Sequence, residues 1–204
     1  SATAGSFASA NVASGIAVTP TLSGLTLSNS NYYIDGVTSA LTANITAAPV
    51  TVTASNQSTT YGTALTLGTS SFSTSGLLGS DSISSVTLTQ GGNAIVPGTQ
   101  NAGTYSGSSS GILASNASGS GLANYSITYS PGTLTIARKS INVVANNASM
   151  TYADLSLPTL SYQSVSGLVN GDQMTGTLAT VVTPYNGVAG SASNVGSYYI
   201  TQGT

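Results

Sequence analysis

The chain has 204 residues, only 3% of them are charged, and its formal net charge is −2. Because two basic residues cannot form the positive patch that nucleic-acid binding requires, that class of function is excluded. The absence of cysteine excludes disulfides and thiolate metal sites, and no apolar run approaches the roughly 18 residues of a membrane-spanning helix, which argues against membrane insertion.

Residues 1–48 are predicted to form the C-terminal half of a small repeat module. Residues 11–18 alternate apolar and polar side chains, which is typical of a strand with one buried face. Residues 26–30 are typical of a turn. Four apolar side chains beyond the turn are expected to face one core: Tyr32, Ile34, Leu41 and Ile45. The first strands of this module are missing, so we expect the chain to be a piece of a longer protein.

Residues 49–138 are predicted to form the one complete module, which we call the middle repeat. It opens with a strand at residues 50–52, and in its last strand Leu134 and Ile136 alternate with threonines. A module of roughly 90 residues can be held by packing and ladder hydrogen bonds alone, without disulfides. We therefore expect this segment to have its own hydrophobic core.

Glycine-rich segments separate the predicted strands of the middle repeat. Residues 75–81 are predicted to form a turn, and residues 90–93, Gln-Gly-Gly-Asn, are typical of a β-hairpin turn. No segment shows convincing 3.6-residue periodicity, and Gly, Ser, Thr and Asn occur at a density that disfavours helices. The predicted fold class is therefore all-β.

Internal repetition defines the last module, residues 139–204, which we call the third repeat. Ile141 and Val143 repeat the alternation of an opening strand. Four motifs recur at a distance of 91 or 93 positions: 31–34 as 124–127, 60–62 as 151–153, 75–81 as 166–172, and 101–105 as 194–198. Because no further Asn-Tyr-x-Ile segment follows residue 127, the third repeat is predicted to lack its C-terminal strands.

These motifs resemble those of the MBG repeat family. The resemblance rests on Tyr61-Gly62, on residues 166–172 and 176–178, on residues 195–198, and on the segments 124–127 and 132–136. Residues 1–48 are similar to the end of a YDG repeat, the companion module, through Asn11-Val12 and residues 25–34. The sequence departs from the family pattern at Ala153, where a glycine usually follows the tyrosine.

The resemblance implies an extracellular, β-rich segment of a filamentous-haemagglutinin-like bacterial adhesin, of the kind exported by two-partner secretion. It implies a location at the bacterial cell surface and no catalytic residues. The function that follows is a structural stalk or spacer in attachment or biofilm formation. The expected partners are adjacent repeats of the same parent chain and, beyond them, extracellular polysaccharide or a host surface.

Two module topologies and two further functions remain open. Each module is either a small immunoglobulin-like β-sandwich or a helix-poor β-grasp-like sheet, and tandem modules are expected to form a rod. The alternative functions are a carbohydrate-binding adhesin module and a subunit of an extracellular filament whose incomplete ends accept strands from neighbouring copies. The scarcity of charges that guard sheet edges also predicts lateral self-association.

The inventory of side chains gives little support to catalysis. Without His, Cys or Glu, a general base would have to be Lys139 or one of four aspartates: Asp35, Asp81, Asp154 and Asp172. Asp81 and Asp172 occupy equivalent turn positions in successive repeats, which is typical of structural Asx-turns. A calcium site needs clustered oxygen ligands, and the aspartates are scattered singly, although Asp154 and Asp172 could meet in the fold. We therefore predict no catalytic, cofactor or metal site.

Two tyrosines are the candidate glycan contacts. If Tyr32 and Tyr198 face a core, strand alternation sends Tyr33 and Tyr199 to the opposite face. An exposed aromatic face can stack on a sugar ring, whereas packing against a neighbouring strand is the commoner use of an amphipathic tyrosine. Five Asn-x-Ser/Thr sequons are further candidate modification sites: Asn44, Asn56, Asn116, Asn124 and Asn147.

Overall fold

The computed structural model of the protein describes residues 4–21, 26–35, 41–163 and 165–203. Within these residues it contains fifteen strands, a helix of four residues and one short 3-10 helix. The prediction of an all-β chain is therefore confirmed. Two compact units can be distinguished. The first contains Ser1–Thr59, Ala64–Pro97 and Gly103–Thr135, and the second contains Thr60–Thr63, Gly98–Ala102 and Ile136–Thr204.

A three-stranded antiparallel sheet occupies the start of the first unit. Its strands are β1 (Ala4–Phe7), β2 (Ala13–Thr21) and β3 (Leu41–Ile45), with β2 in the centre. β2 contains most of the predicted strand at residues 11–18, and Ile16 within it is buried. The alternating pattern therefore predicted this strand correctly.

The expectation that Tyr32, Ile34 and Leu41 face a core is wrong. Tyr32 is 70% exposed, and the other two side chains are exposed as well. The predicted turn forms, because Tyr32 N–H donates to the Asn29 carbonyl at 3.4 Å, but residues 32–35 do not continue into a strand. Because residues 32–35 do not form a strand, their side chains do not alternate between two faces. Neither Tyr32 nor Tyr33 is therefore directed into the protein.

The rest of the first unit is built largely from the middle repeat. In chain order the strands of the middle repeat are β4 (Ala48–Ala54), β5 (Gln57–Thr60), β6 (Leu65–Thr66), β7 (Phe72–Ser75), β8 (Ser82–Gln90), β9 (Ile95–Val96), β10 (Gly103–Tyr105), β11 (Ile112–Ser120), β12 (Tyr125–Ser130) and β13 (Leu134–Ala137). The helix α1 (Gly107–Ser110) has a single turn and buries no residue. The strands form several small sheets, as in a sandwich-like module.

β4 lies in the centre of a mixed sheet with the order β12-β4-β7. β12 runs parallel to β4, with Tyr125 opposite Ala48. β7 runs antiparallel on the other side, with Ser75 opposite Thr51. The other sheets of the repeat have the orders β10-β13-β5, β11-β8 and β6-β9. The first strand of the repeat is therefore paired with one of its last strands, about 75 residues later in the chain.

The hydrophobic core is made by alternate residues of these strands. The largest fully buried side chains are Leu88, Ile112, Leu134, Val50, Val52 and Val96. Leu134 and Ile136 are 0% and 3% exposed, whereas the threonine between them is exposed, so the predicted alternation is confirmed. Each such aliphatic side chain stabilises the fold by about 1.5–3 kcal/mol relative to its exposed state.

The predicted hairpin turn forms at residues 90–93. Gln90 N–H donates to the Asn93 carbonyl at 2.8 Å, and Asn93 N–H donates back to the Gln90 carbonyl at 3.1 Å. Gly91 and Gly92 adopt φ of +57° and +86°, as the two central residues of a type I′ turn must. The Gly-Gly pair therefore determines this connection.

The second unit has far less regular structure. Its strands are β14 (Leu178–Thr180) and β15 (Ile200–Gln202), which pair antiparallel. The predicted opening strand around Ile141 forms only isolated bridges, and Ile141 is 43% exposed, whereas its counterpart Val50 is 1% exposed. The expectation of an opening strand is therefore wrong for the third repeat, because no described strand takes the place that β12 has beside β4.

The turn at residues 151–154 keeps its backbone geometry despite Ala153. Asp154 N–H donates to the Thr151 carbonyl at 3.1 Å, and the equivalent bond in the middle repeat measures 2.9 Å. Ala153 adopts φ +68°, close to the φ of +88° at Gly62. An alanine in this left-handed region costs roughly 1–2 kcal/mol.

We expect Ala153→Gly to stabilise this turn by about 0.5–1 kcal/mol, because relief of the left-handed strain exceeds the added flexibility of the unfolded chain. Hydrogen exchange of the Asp154 amide should slow by roughly threefold. As a control, Ala179→Gly lies in β14, where glycine weakens a strand, and should speed exchange in that strand. Unchanged or faster exchange of Asp154 in Ala153→Gly would contradict the strain.

Candidate functional site

The closing strand β12 places Tyr125 against the turn at residues 75–81. The Tyr125 hydroxyl accepts a hydrogen bond from Leu78 N–H at 2.9 Å and donates one to Asp81 Oδ2 at 2.8 Å. The side chain is only 9% exposed. We call Tyr125, Leu78 and Asp81 the Tyr125 socket. Because the hydroxyl acts both as donor and as acceptor, it ties the end of the repeat to its first half.

Two glycines allow the chain to approach this closely. Gly76 adopts φ +101°, and a Cβ atom there would lie 2.5 Å from the Pro49 carbonyl oxygen. A Cβ atom at Gly121 would overlap the Asp81 carboxylate. The socket is therefore built where the turn, the start of β4 and the segment before β12 meet without intervening side chains.

Burial raises the pKa of the Tyr125 hydroxyl above its usual value. The hydrogen bond from Leu78 N–H opposes this change because it favours the ionised form, whereas the hydrogen bond to Asp81 and the charge of that carboxylate raise the pKa further. The socket thus holds Tyr125 in its neutral, donating form.

We expect Tyr125→Phe to lower the midpoint of thermal unfolding of the first unit at pH 7, because Leu78 N–H and Asp81 lose their partner. The folded-state pKa lies above the unfolded value near 10, so the stabilisation by Tyr125 is present below about pH 10 and is lost as pH rises through the folded pKa. The difference between the two proteins should therefore shrink as the pH rises above about 10.

The control for this experiment is Tyr199→Phe, because Tyr199 is 87% exposed. Its midpoint should follow that of the wild type at every pH. A difference between wild type and Tyr125→Phe that stays constant as the pH rises well above 10 would contradict the raised pKa of Tyr125.

The residue before Tyr125 makes a second attachment within the first unit. Asn124 Oδ1 accepts a hydrogen bond from Val12 N–H at 3.0 Å, and Asn124 Nδ2 donates to Asn11 Oδ1 at 3.4 Å. Asn11 and Val12 precede β2. The Asn-Tyr pair thus binds two different parts of the unit.

The second unit repeats the turn of the socket. Asp172 N–H donates to the Val169 carbonyl at 3.0 Å, and the equivalent bond in the middle repeat measures 3.1 Å. Gly167 adopts φ +98° and lies against the Ser140 carbonyl, as Gly76 lies against the carbonyl of Pro49. The turn at residues 166–172 therefore has the backbone geometry that receives a tyrosine in the middle repeat.

Two cavities lie in the second unit. One, of about 350 Å³, is lined by apolar, basic and acidic side chains, among them Tyr61, Arg138, Lys139, Ile141, Val169 and Asp172. The other, of about 460 Å³, is lined by Ile141, Val143, Leu178 and Ile200 among others.

The family comparison agrees with this repetition. The model of the MBG domain (YGX type) matches residues 50–135 and 141–204. The chain belongs to the MBG domain family. Comparison with curated proteins and with solved structures found no match. Because the MBG match starts at residue 50, the assignment of residues 1–48 to a YDG-like repeat stays a prediction.

The aspartates of the MBG repeats have structural partners or line cavities. Asp81 belongs to the Tyr125 socket, a role that the prediction of an Asx-turn missed. Asp154 Oδ2 accepts a hydrogen bond from Thr151 N–H at 2.7 Å, and Asp172 lines the smaller cavity. Asp35 lies in an exposed loop. In the described part of the chain, no three His, Cys, Asp or Glu side chains form a group that could hold a metal ion.

The candidate glycan contacts are exposed but far apart in the sequence. Tyr33 is 83% exposed in the first unit, and Tyr199 is 87% exposed in the second. Tyr198, beside it, is 40% exposed, and its hydroxyl donates to the Asn194 carbonyl at 2.7 Å. The two faces are therefore accessible, and their binding of sugar stays a prediction. Among the described helices, none is long and apolar enough to cross a membrane.

Several sequon asparagines of the chain are already used as hydrogen-bond acceptors. Asn44 Oδ1 accepts from Gly15 N–H at 2.9 Å, and Asn56 Oδ1 accepts from Thr133 N–H at 2.8 Å. Asn124 makes the hydrogen bonds to Val12 and Asn11 described above. Glycosylation of Asn124 would disturb those bonds, so Asn116 and Asn147 are the sequons whose modification has the fewest structural consequences.

Proposed function

We propose that this chain is a non-catalytic spacer segment of a large extracellular bacterial adhesin, carried at the cell surface and acting in attachment or biofilm formation. Membership of the MBG family supports an adhesin-like repeat protein. A residue inventory without His, Cys or Glu supports the absence of catalysis. The observation that carries the proposal is the parallel pairing of β4 with β12, because this pairing determines how the repeat resists a stretching force.

The parallel pairing of β4 with β12 suits a repeat that is placed under tension. β4 begins the middle repeat and β12 lies close to its end, and six residue pairs connect them from Tyr125–Ala48 to Ser130–Thr53. A stretching force applied to both ends of the repeat pulls the parallel strands β4 and β12 in opposite directions. Their backbone hydrogen bonds are then loaded together rather than one after another, so the repeat resists extension.

Single-molecule force spectroscopy tests this spacer role. The whole chain is stretched from its two ends, and we expect a distinct unfolding event that releases about 300 Å of chain, the extended length of residues 48–137 at roughly 3.5 Å per residue. The chain contains no cysteine, so engineered thiols provide unique attachment points for other pulling directions.

The matched control pulls through Ser82→Cys and Ser120→Cys, which lie opposite each other at one end of the β8–β11 pair. This direction opens the antiparallel pair one hydrogen bond at a time and should need clearly less force. An end-to-end unfolding force equal to or below that of the control would contradict the spacer proposal.

Carbohydrate binding is a second candidate function, favoured by the exposed rings of Tyr33 and Tyr199. Stacking of an aromatic side chain on a sugar ring would give glycan-array binding that Tyr33→Ala or Tyr199→Ala abolishes. Tyr152→Ala is the control, because Tyr152 is 59% exposed but lies in the turn at residues 151–154. Binding that survives both tyrosine substitutions would contradict this alternative.

A further inference from the structure

We propose that the turn at residues 60–63 of the middle repeat is a docking surface for the turn at residues 166–172 of the repeat that follows, and that Gly62 determines which turn it accepts. The partner is a turn in which a branched aliphatic side chain precedes an asparagine, as Val169 precedes Asn170. The inference rests on the proposed function in one respect, since a spacer needs consecutive repeats that stay attached to each other.

Backbone hydrogen bonds within the second unit shape the docking surface. Gly62 N–H donates to the Gly98 carbonyl at 2.9 Å, so the turn lies against the loop at residues 98–102. Tyr61 N–H donates to the Ala137 carbonyl at 2.9 Å, at the start of the segment that connects the two repeats. We call Tyr61, Gly62 and Gly98 the Gly62 surface.

The Val169 side chain lies directly on Gly62. A Cβ atom at Gly62 would lie 2.7 Å from Val169 Cγ2, 3.2 Å from its Cγ1 and 3.3 Å from its Cβ. Because the Cβ atom of Val169 is itself this close, rotation of the valine side chain would not relieve the crowding, and a β-branched side chain is stiff at this bond. A side chain at position 62 therefore requires the two turns to move apart.

Asn170 adds a polar contact to the same surface. Its Nδ2 donates to the Gly98 carbonyl at 3.2 Å, and Gly62 N–H donates to the same oxygen. A carbonyl oxygen has two lone pairs and can accept both hydrogen bonds. Asn170 adopts φ +57°, close to the +59° of its counterpart Gly79, so the two turns differ here in the side-chain amide rather than in the backbone.

The left-handed backbone of the turn does not by itself require glycine. Ala153 stands at the position of Gly62 in the third repeat, where it adopts φ +68° and is exposed, whereas Gly62 is half-buried. The partner position shows the same contrast, because Val169 is half-buried and its counterpart Leu78 is 62% exposed. The valine that lies on Gly62 therefore gives a reason for glycine that the turn geometry alone does not.

Limited trypsin digestion of the whole 204-residue protein tests the docking. Trypsin cleaves after Arg and Lys, and the only two such residues in the sequence are Arg138 and Lys139, in the segment between the repeats. This segment is tied at Ala137, as described above, and at Asn142, whose N–H donates to the Ser166 carbonyl at 3.3 Å. Cleavage requires the segment to detach, so its rate measures the population in which the two turns have separated.

We expect Gly62→Ala to be cleaved roughly tenfold faster than the wild type, as expected for crowding of a packed contact. Val169→Ala should have a smaller effect, because it removes a contact without creating a clash. The double variant Gly62→Ala/Val169→Ala should be cleaved at nearly the rate of Val169→Ala, since the two residues act through one contact. Asn170→Gly keeps the backbone geometry of Gly79 and should speed cleavage roughly threefold through loss of one hydrogen bond.

Gly91→Ala is the matched control, because Gly91 also has a positive φ but a Cβ atom there would meet nothing within 4 Å. It should be cleaved at the wild-type rate. Rescue of Gly62→Ala by Val169→Ala supports the docking even if Gly62→Ala alone unfolds the second unit. A wild-type rate for Gly62→Ala, a double variant cleaved as fast as Gly62→Ala, or an equal effect of Gly91→Ala would overturn it. A wild-type rate for Asn170→Gly would overturn the choice of an asparagine-bearing partner.

The digestion and the force measurement can fail independently. Stretching loads the β4–β12 pair in the first unit, whereas trypsin reports on the segment around Arg138 in the second. Cleavage that depends on Gly62 and Val169 in a chain that unfolds at low force would support the docking surface and contradict the spacer. A high unfolding force with cleavage that is independent of Gly62 would give the opposite result.

Discussion

Leu134→Ala should lower the free energy of unfolding of the middle repeat by about 2–5 kcal/mol. Leu134 is 0% exposed in β13, so its loss removes buried apolar contacts and leaves a cavity that the surrounding strands cannot fully close. Urea unfolding monitored by hydrogen exchange at β4 and β8 measures the effect in the repeat itself. A loss of this size would unfold a repeat of marginal stability.

The control for this substitution is Leu78→Ala in the same repeat. The Leu78 side chain is 62% exposed, and its role in the Tyr125 socket uses only the backbone N–H. Its effect should be within about 0.5 kcal/mol of zero. Equal losses for the two leucines would mean that β13 does not form the core described here.

Gly76→Ala should destabilise the middle repeat by about 2–6 kcal/mol. Its φ of +101° costs a residue with a side chain about 1–3 kcal/mol, and the crowding of the new Cβ against the Pro49 carbonyl adds about 1–3 kcal/mol. The substitution should also loosen the Tyr125 socket, because Gly76 joins the turn to the start of β4. Thermal unfolding monitored by circular dichroism measures the loss.

Gly91→Ala separates the two contributions. Gly91 also has a positive φ, +57°, but a Cβ atom there would meet nothing within 4 Å. Its cost should be confined to the left-handed strain, roughly 1–2 kcal/mol. If Gly76→Ala costs no more than Gly91→Ala, the close approach of the 75–81 turn to β4 is not a feature of the folded repeat.

Local patterns in the sequence predicted much of the middle repeat. Alternation of apolar residues with threonine identified β4 and β13, and Gln-Gly-Gly-Asn identified the hairpin turn. Both features depend on neighbouring residues, so the sequence contains the information directly. The motif repeat likewise predicted turns of the same geometry at residues 75–81 and 166–172.

The Tyr125 socket could not be predicted from local sequence patterns. Asp81 and Tyr125 are 44 positions apart, and the turn motif alone suggested only an Asx-turn for the aspartate. The parallel pairing of β4 with β12 also joins distant segments, and no hairpin signal marks a parallel pair. A signal existed only in the co-occurrence of the turn and the Asn-Tyr-x-Ile motif within one repeat.

The third repeat shows the limit of alternation as evidence. Ile141 and Val143 have the same pattern as Val50 and Val52, but Ile141 is exposed, and around it only bridges form. A strand pattern states which face can be buried, whereas burial itself requires the partner strand. The prediction of a strand at Ile141 and Val143 therefore failed because strand pairing differs between the two repeats, although the sequence pattern is the same.

Amide hydrogen exchange at equivalent positions of the two MBG repeats tests the central claim most directly, namely that a repeat forms its core when an Asn-Tyr-x-Ile strand lies beside its opening strand. We predict slow exchange at Val50 and Val52, which lie in a sheet and are 1% and 0% exposed, and fast exchange at Ile141 and Val143 in the same molecule. Equal protection at the two pairs of positions would contradict the account.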